Sequence, residues 1–209
     1  MLAIFLDIET TGLDFFRHRA IDFAFKIIDI STGKEKYTYY RVIKQPKEVW
    51  DRRDLSSMEI NGFTWERVQQ GLDEIEVRKQ ILEIFSELQI SRGRAFYICQ
   101  NPGFDRGFFS QIVDVYTQER LNWPYRWLDF ASMFWALQVK QAKQNQEPLP
   151  IEINLSKNSI AEHYHLPVEA TPHSALNGVN HLILCYETAI GFGNLPSMQP
   201  PSFLTKYDE

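Results

Sequence analysis

Asp7 and Glu9 flank Ile8 at the end of an apolar run, residues 2–8. In an extended strand, residues i and i+2 share a face, so both carboxylates point the same way. Like charges held side by side repel, and a cation relieves them. Hard carboxylate oxygens favour Mg²⁺ or Mn²⁺. The plain alternative is two solvated acids on an edge strand. Asp105 stands in Asn101-Pro102-Gly103-Phe104-Asp105, where a strand breaks and a helix opens. A carboxylate there also complements the helix dipole, so a helix-start acid is the competing reading. His173, in Pro172-His173-Ser174-Ala175-Leu176-Asn177-Gly178, precedes a helix and lies outside its hydrophobic stripe. An imidazole titrating near neutrality suits a general base, against an ordinary surface histidine beside a cap.

The elements that must position these groups follow from periodicity. Strands are predicted over residues 2–8, 20–30, 36–44 and 95–99, with a hairpin turn at Ser31-Thr32-Gly33. A short helix or turn is predicted over 55–62 and a helix capped by Thr64 over 64–70. An amphipathic helix over 73–90 carries Ile75, Ile81, Leu82, Phe85 and Leu88. Further helices are predicted over 104–116, 127–139, 156–165 and 174–191, with a loop over 140–154. This order implies an α/β fold with a mixed sheet. The first 192 residues read as one domain. Residues 193–209, with three prolines and no periodicity, read as a tail.

Composition narrows the function classes. The 209 residues are 44% hydrophobic and 23% charged, which excludes disorder, collagen and coiled coil for the whole chain. A net charge of −5 excludes bulk electrostatic binding of nucleic acid, though metal ions in a local site could still meet a phosphate. Cys99 and Cys185 are too few for a disulfide framework or a zinc site. No membrane span and no signal peptide are read in the sequence, so a cytoplasmic location is expected.

In this order and at these separations, FLDIETTG, NPGFD and HSAL resemble the motifs of the DEDDh (DnaQ-like) 3′–5′ exonucleases. That family includes the proofreading epsilon subunit of bacterial replicative polymerase, RNase T and oligoribonuclease. SSMEINGFTWERV, WLDFASMFWAL and NLSKNSIAEHYHL resemble further family segments, and the likeness spans residues 2 to about 192. The resemblance implies a ribonuclease H-like fold and a phosphodiesterase using two Mg²⁺ or Mn²⁺ ions. Asp7, Glu9 and Asp105 would be the metal ligands. His173 would take a proton from the water that attacks the terminal phosphodiester. Thr10, Thr11, Gly12 and Leu13 would line the pocket for the 3′-terminal nucleotide. The implied partners are single-stranded 3′ ends, DNA before RNA, and a DNA polymerase or its sliding clamp in proofreading.

One position departs from the pattern. The family's fourth carboxylate falls five residues after the histidine, at Gly178. A helix slipped by one residue would bring Asn177 there instead, whose carbonyl oxygen can ligate a cation without adding charge. Three readings stay open. The enzyme works with water or Asn177 in that place; or the chain is an impaired exonuclease that binds nucleic acid or a polymerase; or the residue is a deliberate change that traps a complex.

Other residues read more plainly. His163 and His165 are expected at the surface, and Arg17-His18-Arg19 as a solvated loop rather than a phosphate contact. Asp129 reads as a helix cap, and Phe104 and Phe108 as core. Residues 199–204, beginning Gln199-Pro200-Pro201, loosely resemble a clamp-binding peptide.

Overall fold

The computed structural model describes residues 1–193. The expected tail, with its clamp-like segment, lies outside the described residues apart from Gly193. Five strands form one sheet in the order β3-β2-β1-β4-β5. They are β1 (Leu2–Thr10), β2 (Ala20–Asp29), β3 (Lys34–Val42), β4 (Ala95–Cys99) and β5 (Trp127–Asp129). The pairs β1–β2 and β2–β3 are antiparallel, and β1–β4 and β4–β5 are parallel. This is the mixed sheet expected of the α/β fold.

Nine helices complete the described residues: α1 (Lys47–Trp50), α2 (Leu55–Asn61), α3 (Trp65–Gln69), α4 (Glu74–Glu87), α5 (Pro102–Ile112), α6 (Val115–Arg120), α7 (Phe130–Asn145), α8 (Lys157–His163) and α9 (Ala175–Ala189). Alternation along β1 sorts its side chains. Ile4, Leu6 and Ile8 join the core that Val77, Ile81 and Phe85 of α4 and Phe108 and Phe109 of α5 also enter. Ala3 and Phe5 join the opposite core with Phe130 and Phe134 of α7, Ile160 of α8 and Val179, Leu182 and Cys185 of α9. A third cluster joins Ile21, Trp50, Phe63 and Val68. Cys99 and Cys185 are free and buried. No helix among the described residues is long and apolar enough to cross a membrane.

Four local expectations change. Residues 127–129 pair with β4 before the helix starts, so the predicted helix over 127–139 begins at Phe130 and runs on to Asn145, through the first six residues of the predicted loop. Three residues are too few to show strand periodicity. The helix expected over 104–116 breaks at Val113, where Asp114 caps α6 by accepting from the Thr117 N–H at 2.9 Å. Ile75 is exposed, and the buried stripe of α4 is Val77, Ile81, Ile84 and Phe85. His18 is not solvated. Its ring is buried between Thr11 and Asp54, with Nε2 3.4 Å from Asp54 Oδ2.

Candidate active site

The site forms where the sheet divides. β1 pairs with β4 only as far as Phe5–Ile98, while its pairing with β2 continues to Thr10. Past Phe5 one side of β1 is therefore open, and β4 turns away into α5. Ligand clefts in α/β sheets form at such carboxyl ends, where neighbouring connections diverge. Asp7 and Glu9 lie on this stretch of the central strand, not on an edge. They share the face of Ala3 and Phe5, which α9 covers.

Asp7, Glu9, Asp105 and His173 line one cleft of ≈ 260 Å³, together with Phe104, Lys157 and Glu169. Four separate chain segments thus converge. Asp105 arrives in the first turn of α5, which follows Asn101, a residue at φ 58°. Asp129 steadies that turn. Its Oδ1 accepts from the Asn101 N–H at 3.1 Å and from the Ala131 N–H at 3.2 Å, so the expected cap of α7 also anchors the Asp105 loop. Phe108 is core, whereas Phe104 lines the cleft.

His173 is placed by the end of α2. Its N–H donates to Ile60 O at 3.0 Å, and Asn61 Nδ2 donates to Thr10 O at 3.2 Å. Gly62 ends α2 at φ 65°, and a Cβ there would lie 2.8 Å from Pro172 Cβ. Both the left-handed backbone and the close approach require glycine. α9 begins beside His173 with a distant cap: Asp22 Oδ2, on β2 beside Glu9, accepts from the Ala175 N–H at 2.9 Å.

The Thr10-Thr11-Gly12-Leu13 turn is closed by its own side chains. Thr10 Oγ1 donates to Gly12 O at 2.7 Å, and Thr11 Oγ1 accepts from the Arg19 N–H at 3.0 Å. Both threonines are buried and Leu13 is 74% exposed. A Cβ on Gly12 would lie 2.5 Å from Asp54 Oδ2 and 2.6 Å from the His18 ring, so only glycine fits.

Electrostatically the cleft is a concentration of buried acid. Burial, reinforced by Asp7 and Asp22, raises the Glu9 carboxyl to about 8. Burial and then Asp7 push Asp105 well above the usual carboxylate range. Burial also raises Asp7, against the pull of Lys157. Asp22 is raised to about 6 by burial, with the Ala175 hydrogen bond opposing. Burial is the leading cause at all four, and repulsion among the carboxylates adds to it.

Gly178, not Asn177, faces this cluster. Asn177 is exposed, while a Cβ on Gly178 would lie 2.6 Å from Asp7 Cγ and 3.1 Å from Lys157 Nζ. The slipped register is therefore excluded. Lys157 and Glu169 were not among the candidates from sequence. Lys157 Nζ lies 2.9 Å from Glu169 Oε2 and 3.7 Å from Asp7 Oδ1. Burial opposes its charge, but Asp7 and Glu169 outweigh that and hold the ammonium above the ordinary lysine value. One signal was available: Lys157 opens α8, the helix end a cation disfavours. Glu169, four residues before His173, is the one charged side chain in residues 166–172, a signal that does not point to Lys157.

The donor chemistry of Asp7, Glu9 and Asp105 fits one hard divalent ion: three carboxylates whose repulsion a cation would relieve. Beside it, position 178 offers no carboxylate and Lys157 Nζ leans on Asp7. As the side chains stand, no three His, Cys, Asp or Glu groups among the described residues converge closely enough to hold a metal.

No protein-family model matches the sequence, and no curated protein matches it. Solved structures share the fold. Escherichia coli Exonuclease I in complex with a dT13 oligonucleotide is 16% identical with a TM-score of 0.66, over 90% of this chain and 41% of that one. The nuclease domain of 3′hExo, a DEDDh family member bound to rAMP, is 11% identical with a TM-score of 0.62, over 94% and 97%. The zinc-bound form of Exonuclease I with single-stranded DNA is 17% identical with a TM-score of 0.65, over 90% and 40%. The chain thus spans less than half the length of Exonuclease I.

Proposed function

Starting from a fold shared with DEDDh exonucleases, we propose that this protein is a divalent-metal-dependent 3′–5′ exonuclease on single-stranded nucleic acid, DNA before RNA. The observation that carries the reading is the convergence of Asp7, Glu9, Asp105 and His173 in one cleft. Asp7, Glu9 and Asp105 would hold the Mg²⁺ or Mn²⁺. When bound, such an ion polarises a phosphodiester and lowers the pKa of water.

The chain's own groups do the rest. The Asp7–Glu9–Asp105 cluster holds a charge that draws a cation to the cleft and, through it, the scissile phosphate of a polyanion. His173, fixed through its N–H to Ile60 O, is the base that accepts the proton of the attacking water. The Thr10–Gly12 turn meets the terminal nucleotide through its backbone, since the Thr10 hydroxyl is engaged by Gly12 O and the Thr11 hydroxyl by the Arg19 N–H. Exposed Leu13 supplies an apolar face for a base, a contact that tolerates any base. Proofreading beside a polymerase or its clamp is the assigned role, supported by the motif resemblance. The exonuclease domain is assigned to residues 1–192.

A second reading has its own observation. Gly178 and the Lys157–Asp7 contact favour a module that binds nucleic acid or a polymerase and cuts poorly. A 5′-labelled single-stranded oligonucleotide with Mg²⁺ or Mn²⁺ separates the two. Shortening from the 3′ end that stops in Asp7→Ala and His173→Ala supports the enzyme. Retention of DNA and RNA without shortening, by wild type and Gly178→Asp alike, supports the module.

A further inference from the structure

The Lys157 ammonium is held in the cleft by oxygen atoms from three other residues. Its neighbours are three oxygens: Glu169 Oε2 at 2.9 Å, Gly178 O at 3.3 Å and Asp7 Oδ1 at 3.7 Å. Its side chain is only 12% exposed, so the charge is committed to the cleft and not to solvent. The second oxygen of Glu169, Oε1, is buried without a partner and lies in the same cleft lining. Gly178 is the complement of this arrangement. Any side chain there would begin 2.6 Å from Asp7 Cγ and 3.1 Å from the ammonium, so a residue at 178 would have to displace the Asp7 carboxylate and crowd the Lys157 Nζ that leans on it. Buried lysines and buried carboxylates are stable only when paired.

We propose that Lys157 is a resident cation of this site, standing beside Asp7 where a second divalent ion would bind, and that the cleft therefore takes one divalent ion. This rests on the nuclease reading of the cleft. Asp7, Glu9, Asp105 and Glu169 bring four carboxylates against one ammonium. That surplus draws a divalent ion to the cleft, and the place beside Asp7 and Glu169 where a second could stand is already held by Lys157 Nζ. The loss of a ligand at 178 is then matched by a lysine and a glutamate elsewhere, and the site is rebuilt around one ion instead of merely damaged.

Calorimetric titration of Mn²⁺ into the metal-free full-length protein is expected to find one site in wild type and two in Lys157→Met. Any other pair of counts overturns the inference. Among these, two sites in wild type leave the nuclease reading standing, whereas none in either protein removes both. If Lys157→Met does not fold, Lys157→Met with Gly178→Asp carries the same test, since it replaces the ammonium by a restored carboxylate. It is expected to hold two ions, and one ion overturns the inference. Wild type alone gives an independent check by mass-spectrometric mapping of lysine acetylation. Lys157 is expected to stay protected with saturating Mn²⁺. Acetylation of Lys157 that rises on adding Mn²⁺ shows the ammonium displaced, and overturns the inference.

Discussion

Asp22 on β2 accepts a hydrogen bond from the Ala175 N–H, 153 residues further along the chain, at 2.9 Å. The first turn of α9, which follows His173, is thereby tied to the strand that pairs with Glu9. Asp22→Ala would leave the buried amide without an acceptor, a loss of about 1–3 kcal/mol. Asp22→Asn keeps an acceptor oxygen and should cost less. Urea unfolding of both variants at neutral pH checks the order.

The same carboxyl makes stability depend on pH. Asp22 titrates near 6 in the fold against an ordinary 3.8. Between those values the folded state holds a proton that the unfolded chain has released. Stability from this group is thus full below pH 3.8 and lost as pH rises through 6. The difference is worth roughly 3 kcal/mol at most. In metal-free protein, Asp22→Asn should flatten the fall in melting temperature over that interval. An unchanged slope would show that Asp22 is not the titrating group.

Stability and function should trade at Asp105. Its carboxyl is buried and raised by burial and by Asp7. Asp105→Asn removes an ionisable group that burial and Asp7 disfavour, and should raise the metal-free melting temperature by about 2–4 °C. It should also abolish cleavage and shrink the melting shift that Mn²⁺ produces in wild type. Chelation by EDTA should return wild type to its lower melting temperature.

Gly12→Ala tests the nucleotide turn. The new Cβ would collide with Asp54 and the His18 ring, which are packed around the turn. Overpacking of this kind costs about 1–3 kcal/mol, and cleavage should fall further than stability because the turn must move. Comparison of kcat/KM with the unfolding free energy separates the two effects.

Asp129→Ala should act twice. It removes the cap of α7, worth about 1 kcal/mol, and it frees the Asn101 N–H that positions the Asp105 loop. Asp129→Asn should restore most of the stability. Thermal unfolding and cleavage rates measured on both variants check this.

Much of this was legible beforehand. Short apolar runs placed β1 and β4, the turn at Ser31-Thr32-Gly33 separated β2 from β3, and capping residues such as Thr64 placed helices to within a few residues. Asp7 and Glu9 share a face because the strand period is two, whatever surrounds them. β5 was hidden, since a three-residue strand has no period and exists only because Trp127, Leu128 and Asp129 pair with Tyr97, Ile98 and Cys99. His18 was misjudged because a histidine between two arginines looks solvated, and its burial depends on Asp54 arriving from another segment.

The amino-acid sequence by itself determined the alternation that aims Asp7 and Glu9 together, the breaks that start α5 and α9, and the absence of a carboxylate at 178. These are properties of short stretches, written in residue type and spacing. Only the tertiary structure decided what that absence means. The ammonium of Lys157 reaches Asp7 and Glu169 because α8 packs beside α9, and Gly178 leaves the room for it. Charge pairing acts through space between segments, so no local pattern could announce it.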